Sequence, residues 1–328
     1  MIDLHLHLDG SLPPALLIRL AELEGVLLPS NNLNELAPYI SVPKNCRSLN
    51  EFLQKFDLPV SCMQSEQTLK EAAWGLVKEL ADQGLRYAEI RFAPQLHQRK
   101  GLTQKQAVEA VISGMEAGKE ERDLKTGLIL CCMRGKDNEK ENMETIRLAA
   151  LFLGKGVCGA DLAGAEALYP TKDYESLFAS ARENHVPITI HAGEADGPDS
   201  VRAALAMGAS RIGHGVRGAE DPKLMQEIID KQITLEICVT SNYQTKAVLE
   251  GQIHPILKLL RQGAAVTVNT DDMTVCNTTL ADEFEYLRKK GMTKEEEMRL
   301  LLNGAEGAFL SEEEKQELKT EILSRFKK

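Results

Sequence analysis

Long apolar runs, a stripe of basic residues and Cys-x-x-Cys pairs are all missing from this 328-residue chain, and each absence removes a class of protein. The longest apolar stretches, residues 127–133 and 148–153, fall far short of the roughly 20 residues that cross a bilayer, so no membrane partner is expected. Lys and Arg total 39 against 49 Asp and Glu, a net charge of -10 with His neutral. With no basic stripe to neutralise phosphates, a nucleic-acid partner is not expected either. The opening residues have neither the basic start nor the apolar core of a secretory signal, which predicts a cytoplasmic protein. Seven cysteines is an odd number, and Cys131 and Cys132 are neighbours in an apolar run, so reduced thiols are expected rather than a disulfide framework. No glycine-rich phosphate loop follows the first apolar run, which argues against a doubly wound nucleotide-binding sheet.

What remains is the composition of a folded globular protein, 43% hydrophobic and 27% charged, with glycine and proline scattered. Short apolar runs alternate with longer amphipathic stretches, and the runs predict strands at 2–8, 86–93, 126–132, 157–162, 187–191, 211–216, 233–239 and 264–270. Helix starts lie between them. Ser48 with Glu51, Thr103 with Gln106, Thr293 with Glu296 and Ser311 with Glu314 have capping-box spacing, and Asp221 before Pro222 reads as an N-cap. Eight strands, each followed by helix, predict an α/β fold, a (β/α)8 TIM barrel occupying residues 1–328 as a single domain. The longest break in the alternation, residues 12–85, predicts a helical insertion after the first strand that serves as a lid.

His5 and His7 stand two apart on the first predicted strand, so both imidazoles face one side. The pair gains meaning from its company, because His191 ends the fifth strand and Asp271 follows the eighth, where a barrel gathers its reactive groups. Imidazoles with one carboxylate suit zinc, and a site that keeps a place for water is a catalytic one. Glu194, three residues after His191, is placed to face the same cavity without being a ligand; His214, ending the sixth strand, is placed to orient or deprotonate the water. Asp272 points away from its neighbour Asp271 and is free for substrate. His97, His185 and His254 lie off the strand ends and read as solvated or capping residues, while Trp74 and the Leu224, Met225, Ile228 stripe read as helix packing.

These residues carry a resemblance. His5-Leu-His-Leu-Asp-Gly-Ser, Asp161-Leu-Ala-Gly, His191-Ala-Gly-Glu, Ile212-Gly-His-Gly, Cys238-Val-Thr-Ser-Asn and Asn269-Thr-Asp-Asp follow one another as do the motifs of the adenosine deaminase family, along nearly the whole chain. The segment from Ser48 to Phe56 is similar to that family's helix over the substrate pocket. The resemblance implies that His5, His7, His191 and Asp271 bind one zinc, that Glu194 supplies a proton to the purine N1 and that His214 stands beside the attacking oxygen. It implies further that the Gly164 N–H faces N3, that Asp272 faces N7 and that Asp9 holds a ribose hydroxyl. Members acting on adenine or on modified adenosine derivatives commonly have Glu or Asn at the position of Asp9, so the implied substrate is a small molecule, adenosine, and the implied products are inosine and ammonia.

Three rivals are weighed against this. The cytidine deaminase pattern, His-x-Glu with Pro-Cys-x-x-Cys, does not occur. A two-metal hydrolase barrel usually needs a lysine on the fourth strand, and that run has none. A non-catalytic nucleoside-binding barrel has no need of Glu194, His214 and a full ligand set together. Two departures from the family remain: many members carry extra residues before the first strand that close the barrel's bottom, and many have proline where this chain has Met273.

Overall fold

The computed structural model describes residues 1–43 and 45–326. A strand forms in each predicted run: β1 Ile2–His7, β2 Tyr87–Phe92, β3 Lys125–Met133, β4 Val157–Ala163, β5 Thr189–Ala192, β6 Arg211–His214, β7 Thr234–Ile237 and β8 Ala265–Val268. β1 to β4 pair in order and in parallel, as do β5 to β8. Two seams close these sheets into a ring. The Ala160 N–H donates to the Pro187 carbonyl at 2.9 Å, and the His7 N–H donates to the Asp271 carbonyl at 2.7 Å. The result is a (β/α)8 barrel with helical insertions, as the alternation predicted.

The later strands are shorter than their apolar runs. β7 stops at Ile237 because Cys238 already caps the helix Val239–Gln244, and β8 stops at Val268, after which the chain turns into the mouth of the barrel. The expected caps form. Thr103 and Thr293 make complete capping boxes with Gln106 and Glu296, and the Asp221 carboxylate accepts from the N–H groups of Lys223 and Leu224. Ser48 accepts from the Glu51 N–H, but the Glu51 carboxylate turns to Arg47 instead of completing the box.

Between β1 and β2 lie the helices Pro14–Glu24, Leu33–Ile40, Leu49–Leu53, Asp57–Ser61 and Glu66–Asp82, with a short 3-10 turn at Gln54–Phe56. The last of these helices packs along Gln104–Glu121 in the outer ring. At the opposite end of the strands, Ile2, Leu4 and Tyr87 pack against Ala305, Ala308, Leu318 and Ile322. The helices Lys294–Gly307 and Glu312–Phe326 therefore cover the bottom of the barrel. No described helix is long and apolar enough to cross a membrane, and all seven cysteines are free thiols.

Candidate active site

Chemistry collects at the C-terminal ends of β1, β5, β6 and β8. His5 and His7 project from β1 and His191 from β5; His214 ends β6, and Asp271 lies three residues past β8. His214 and Asp271 both take left-handed backbone, each with φ 62°. That conformation costs a non-glycine residue about 1–2 kcal/mol, and it turns each side chain from its strand into the mouth.

Four donor atoms converge there. His5 Nε2 lies 3.0 Å from His191 Nε2 and 3.2 Å from Asp271 Oδ1, and His7 Nε2 lies 3.2 Å from His191 Nε2. The other nitrogens of two of these rings are committed: His5 Nδ1 is 2.7 Å from Glu236 and His191 Nδ1 is 2.8 Å from Asp161. Each Nδ1–H donates to its carboxylate, which leaves bare Nε2 lone pairs facing one another. Such a cluster is repulsive without a cation. Ligands about 2.0–2.2 Å from a tetrahedral ion stand roughly 3.3–3.6 Å apart, close to the spacings found, so the residues fit a metal.

Beneath the donors the barrel interior is charged rather than apolar. Arg91, wholly buried, donates to Asp161 at 3.0 Å and to Glu236 at 2.9 Å, while Arg211 pairs with Glu236 at 2.6 Å and with Glu89. Burial opposes charge on Asp161 and Glu236, but His191 and Arg91 hold the first, and Arg91 and Arg211 the second, well below the usual carboxylate range. Both anions stay ionised and keep the imidazoles oriented.

Above the donors is a cavity of about 290 Å³. Asp9, Glu194 and Asp272 line it, all buried, and each has one carboxylate oxygen without a partner. Burial, then the charges of Asp271 and Glu166, push Glu194 well above its ordinary range, which favours its protonated form. Burial and Asp271 do the same to Asp272, whereas burial raises Asp9 only to about 6. Burial, followed by His5 and His191, keeps His214 neutral; its Nε2 lies 3.6 Å from Glu194 and 3.8 Å from Asp271. Two glycines are required here. A Cβ on Gly10 would lie 1.7 Å from Asp272 Oδ1, and Gly164 turns its backbone to the cavity at φ 107°, which other residues rarely adopt. The Met273 N–H donates to Ser11 Oγ at 3.1 Å, a bond that proline at this position could not make.

All nine candidate residues thus meet at one mouth: four at the donor cluster, the other five lining the cavity beside it. Two of the dismissed histidines need correction. His97 and His254 are buried, at 0% and 4% exposure, because each is drawn in by a distant partner, His97 by the Met63 carbonyl and His254 by Asn242; only His185 is exposed.

Residue-by-residue reading of the sequence missed Glu166. Its buried carboxylate accepts from the N–H groups of Gly193 at 2.7 Å, Glu194 at 3.0 Å, Ala195 at 2.6 Å and Asp196 at 3.0 Å, and from the Ser200 hydroxyl. One anion therefore clamps the loop that carries Glu194. The interior charges Glu89, Arg91 and Glu236 were given no role; two charges two positions apart on β2, Glu89 and Arg91, in a strand without other charge, were the available signal for the first pair.

Fold, donor cluster and cavity together define a metal-dependent hydrolase barrel. The adenosine deaminase family model matches residues 1–325. The chain is 46% identical to the adenosine deaminase of Haemophilus ducreyi, over 99% of this chain and 96% of that one. Among solved structures, adenine deaminase from Arthrobacter aurescens superposes with a TM-score of 0.90 at 29% identity, covering 100% of this chain and 99% of that one. A zinc-bound amidohydrolase from Burkholderia ambifaria shares the fold, with a TM-score of 0.89 at 20% identity over 99% of this chain and 90% of that one. The chain belongs to the adenosine deaminase family, within the metal-dependent hydrolases. It is a hydrolytic, metal-dependent deaminase of 6-aminopurines.

Proposed function

We propose that the enzyme uses one zinc to convert adenosine, and 2'-deoxyadenosine with it, to inosine and ammonia. The observation that carries this reading is the set of three buried carboxylates, Asp9, Glu194 and Asp272, each with a free oxygen, around a cavity that opens onto the four donors. His5, His7, His191 and Asp271 hold the ion, and three imidazoles with one carboxylate favour zinc. Zinc, when bound, lowers the pKa of a water to about 7 and so makes a nucleophile available at neutral pH.

The protein's own groups do the rest. Adding oxygen to C6 breaks the aromaticity of the ring and requires a proton on N1 as it happens. Glu194, whose burial favours the protonated carboxyl, donates it. Asp272, shifted in the same direction, donates to N7, and the Gly164 N–H donates to N3. His214 steadies the negative charge that develops on the attacking oxygen. One water balances the reaction: its oxygen becomes O6, one proton ends on N1 and the other leaves with ammonia as the C6–N bond breaks.

Asp9 selects the substrate. It follows His7 by two residues, and its free oxygen accepts from the 5'-hydroxyl of a nucleoside but repels a 5'-phosphate. Adenine would leave it unpaired. The 29% identity to an adenine deaminase favours the second reading, deamination of adenine or a modified adenosine, and Asp9 weighs against it. The chain acts as one domain, with residues 12–85 an insertion whose Phe52, Leu53 and Phe56 form an apolar lid over the cavity. Following absorbance on mixing the enzyme with adenosine, AMP or adenine tests the assignment. Adenosine is expected to have the highest kcat/KM; a better rate with AMP or adenine overturns it.

A further inference from the structure

His214 presents Nε2 to the cavity and turns Nδ1 away, where the Asn242 side-chain amide lies 3.0 Å off. Beyond Asn242 stands His254, with Nε2 3.2 Å from Asn242 Oδ1. The far end of this chain is a backbone group: the Ile256 N–H points at His254 Nδ1, 3.3 Å away. All three side chains are buried, and none of the functional assignments above uses Asn242 or His254.

A backbone N–H can only donate, so His254 Nδ1 is an acceptor and carries no proton. Burial lowers the pKa of His254 to about 3, so the ring is neutral and its single proton sits on Nε2. That N–H needs an acceptor, which orients the Asn242 amide with Oδ1 toward His254 and its NH2 toward His214. His214 Nδ1 therefore accepts as well, and the proton of the neutral ring lies on Nε2, facing the cavity.

We infer that Asn242 and His254 are positioning residues that fix His214 as its Nε2–H tautomer, making it a hydrogen-bond donor to the attacking oxygen and not the base that takes its proton. The inference rests on the deaminase reading for its consequence and on the hydrogen-bond chain for its geometry. It settles which of two roles open to a histidine beside the attacking oxygen this one performs. It also accounts for a buried histidine, His254, that makes no contact with the cavity.

The test is a long-range proton–nitrogen NMR spectrum of the zinc-loaded protein, isotope-labelled at histidine, alongside the Asn242→Asp variant. The wild type is expected to show His214 protonated at Nε2 and bare at Nδ1. In Asn242→Asp a carboxylate replaces the amide donor and draws a proton onto Nδ1. With zinc content retained, kcat should fall by about 10²–10³-fold, the loss typical of a displaced oxyanion donor, and KM should change much less. Should that variant fail to fold, His254→Phe removes the anchor alone, and roughly 10-fold lower kcat with a mixed His214 tautomer is expected, in line with losses at supporting residues. A wild-type proton on Nδ1, or unchanged kcat in the variant that folds, overturns the inference. Because the spectrum needs no substrate, failure to deaminate adenosine would sink the functional reading and leave the tautomer to be judged by itself.

Discussion

The floor of the active site and the segment above it are built by opposite means. On the floor, His5, His191 and His214 are buried and tied by side-chain bonds to Glu236, Asp161 and Asn242, each from a distant part of the chain. Above it, the helices Leu33–Ile40, Leu49–Leu53 and Asp57–Ser61 are five to eight residues long, and Leu33 and Tyr39 are half exposed. Phe52 and Phe56 reach down through apolar contact, with ring centroids 6.1 Å apart and Phe56 6.4 Å from the His7 ring. Directional bonds suit groups that must hold an ion and pass a proton, and apolar contact suits a cover that admits and releases substrate. Changes to the floor should therefore act on metal or kcat, and changes to the cover on KM.

The largest effect is expected from His5→Ala or Asp271→Ala, which removes a donor. Metal analysis should find both variants without zinc and assays should find them inactive; a fully active, zinc-loaded His5→Ala protein would break the division. Next is Glu194→Gln, which keeps the size of the side chain but cannot give up a proton. Zinc should stay while kcat falls roughly 10²–10⁴-fold, the usual contribution of a general acid. Loss of zinc would instead make Glu194 a ligand.

Glu166→Gln should act less strongly. One of its two oxygens becomes an NH2 facing either the Gly193 N–H or the three amides that follow, so the loop bearing Glu194 loosens. About 10–10²-fold lower kcat with zinc retained is the scale for such supporting residues, checked by steady-state kinetics beside metal analysis. The smallest effect belongs to the cover. Phe52→Ala should raise KM by roughly 10-fold, equivalent to about 1.4 kcal/mol, with zinc content and kcat near wild type. Kinetics that do not move would return Phe52 to ordinary packing.

The contrast also explains what could be read from the sequence. Every strand was visible as an apolar run, because parallel barrel strands are buried on both sides, and the floor residues were visible because each lies on such a run or just past its end. Strand ends were misplaced where a residue such as Cys238 serves two elements at once. The supporting residues were hidden for a different reason. Glu166, Glu236, Asn242 and His254 matter through bonds to residues 25 or more positions away or through a neighbour's neighbour, and no local spacing encodes that. His254 was misread because its short loop looks solvated in sequence, whereas the fold buries it against Asn242.

The most direct measurement is a zinc titration of metal-depleted protein, following conversion of adenosine to inosine by absorbance and counting bound ions. The expected result is no turnover without zinc and activity that rises linearly to a plateau at one zinc per chain. A plateau reached only at two ions per chain, or full turnover before any zinc is added, would contradict the single-ion floor on which the rest depends.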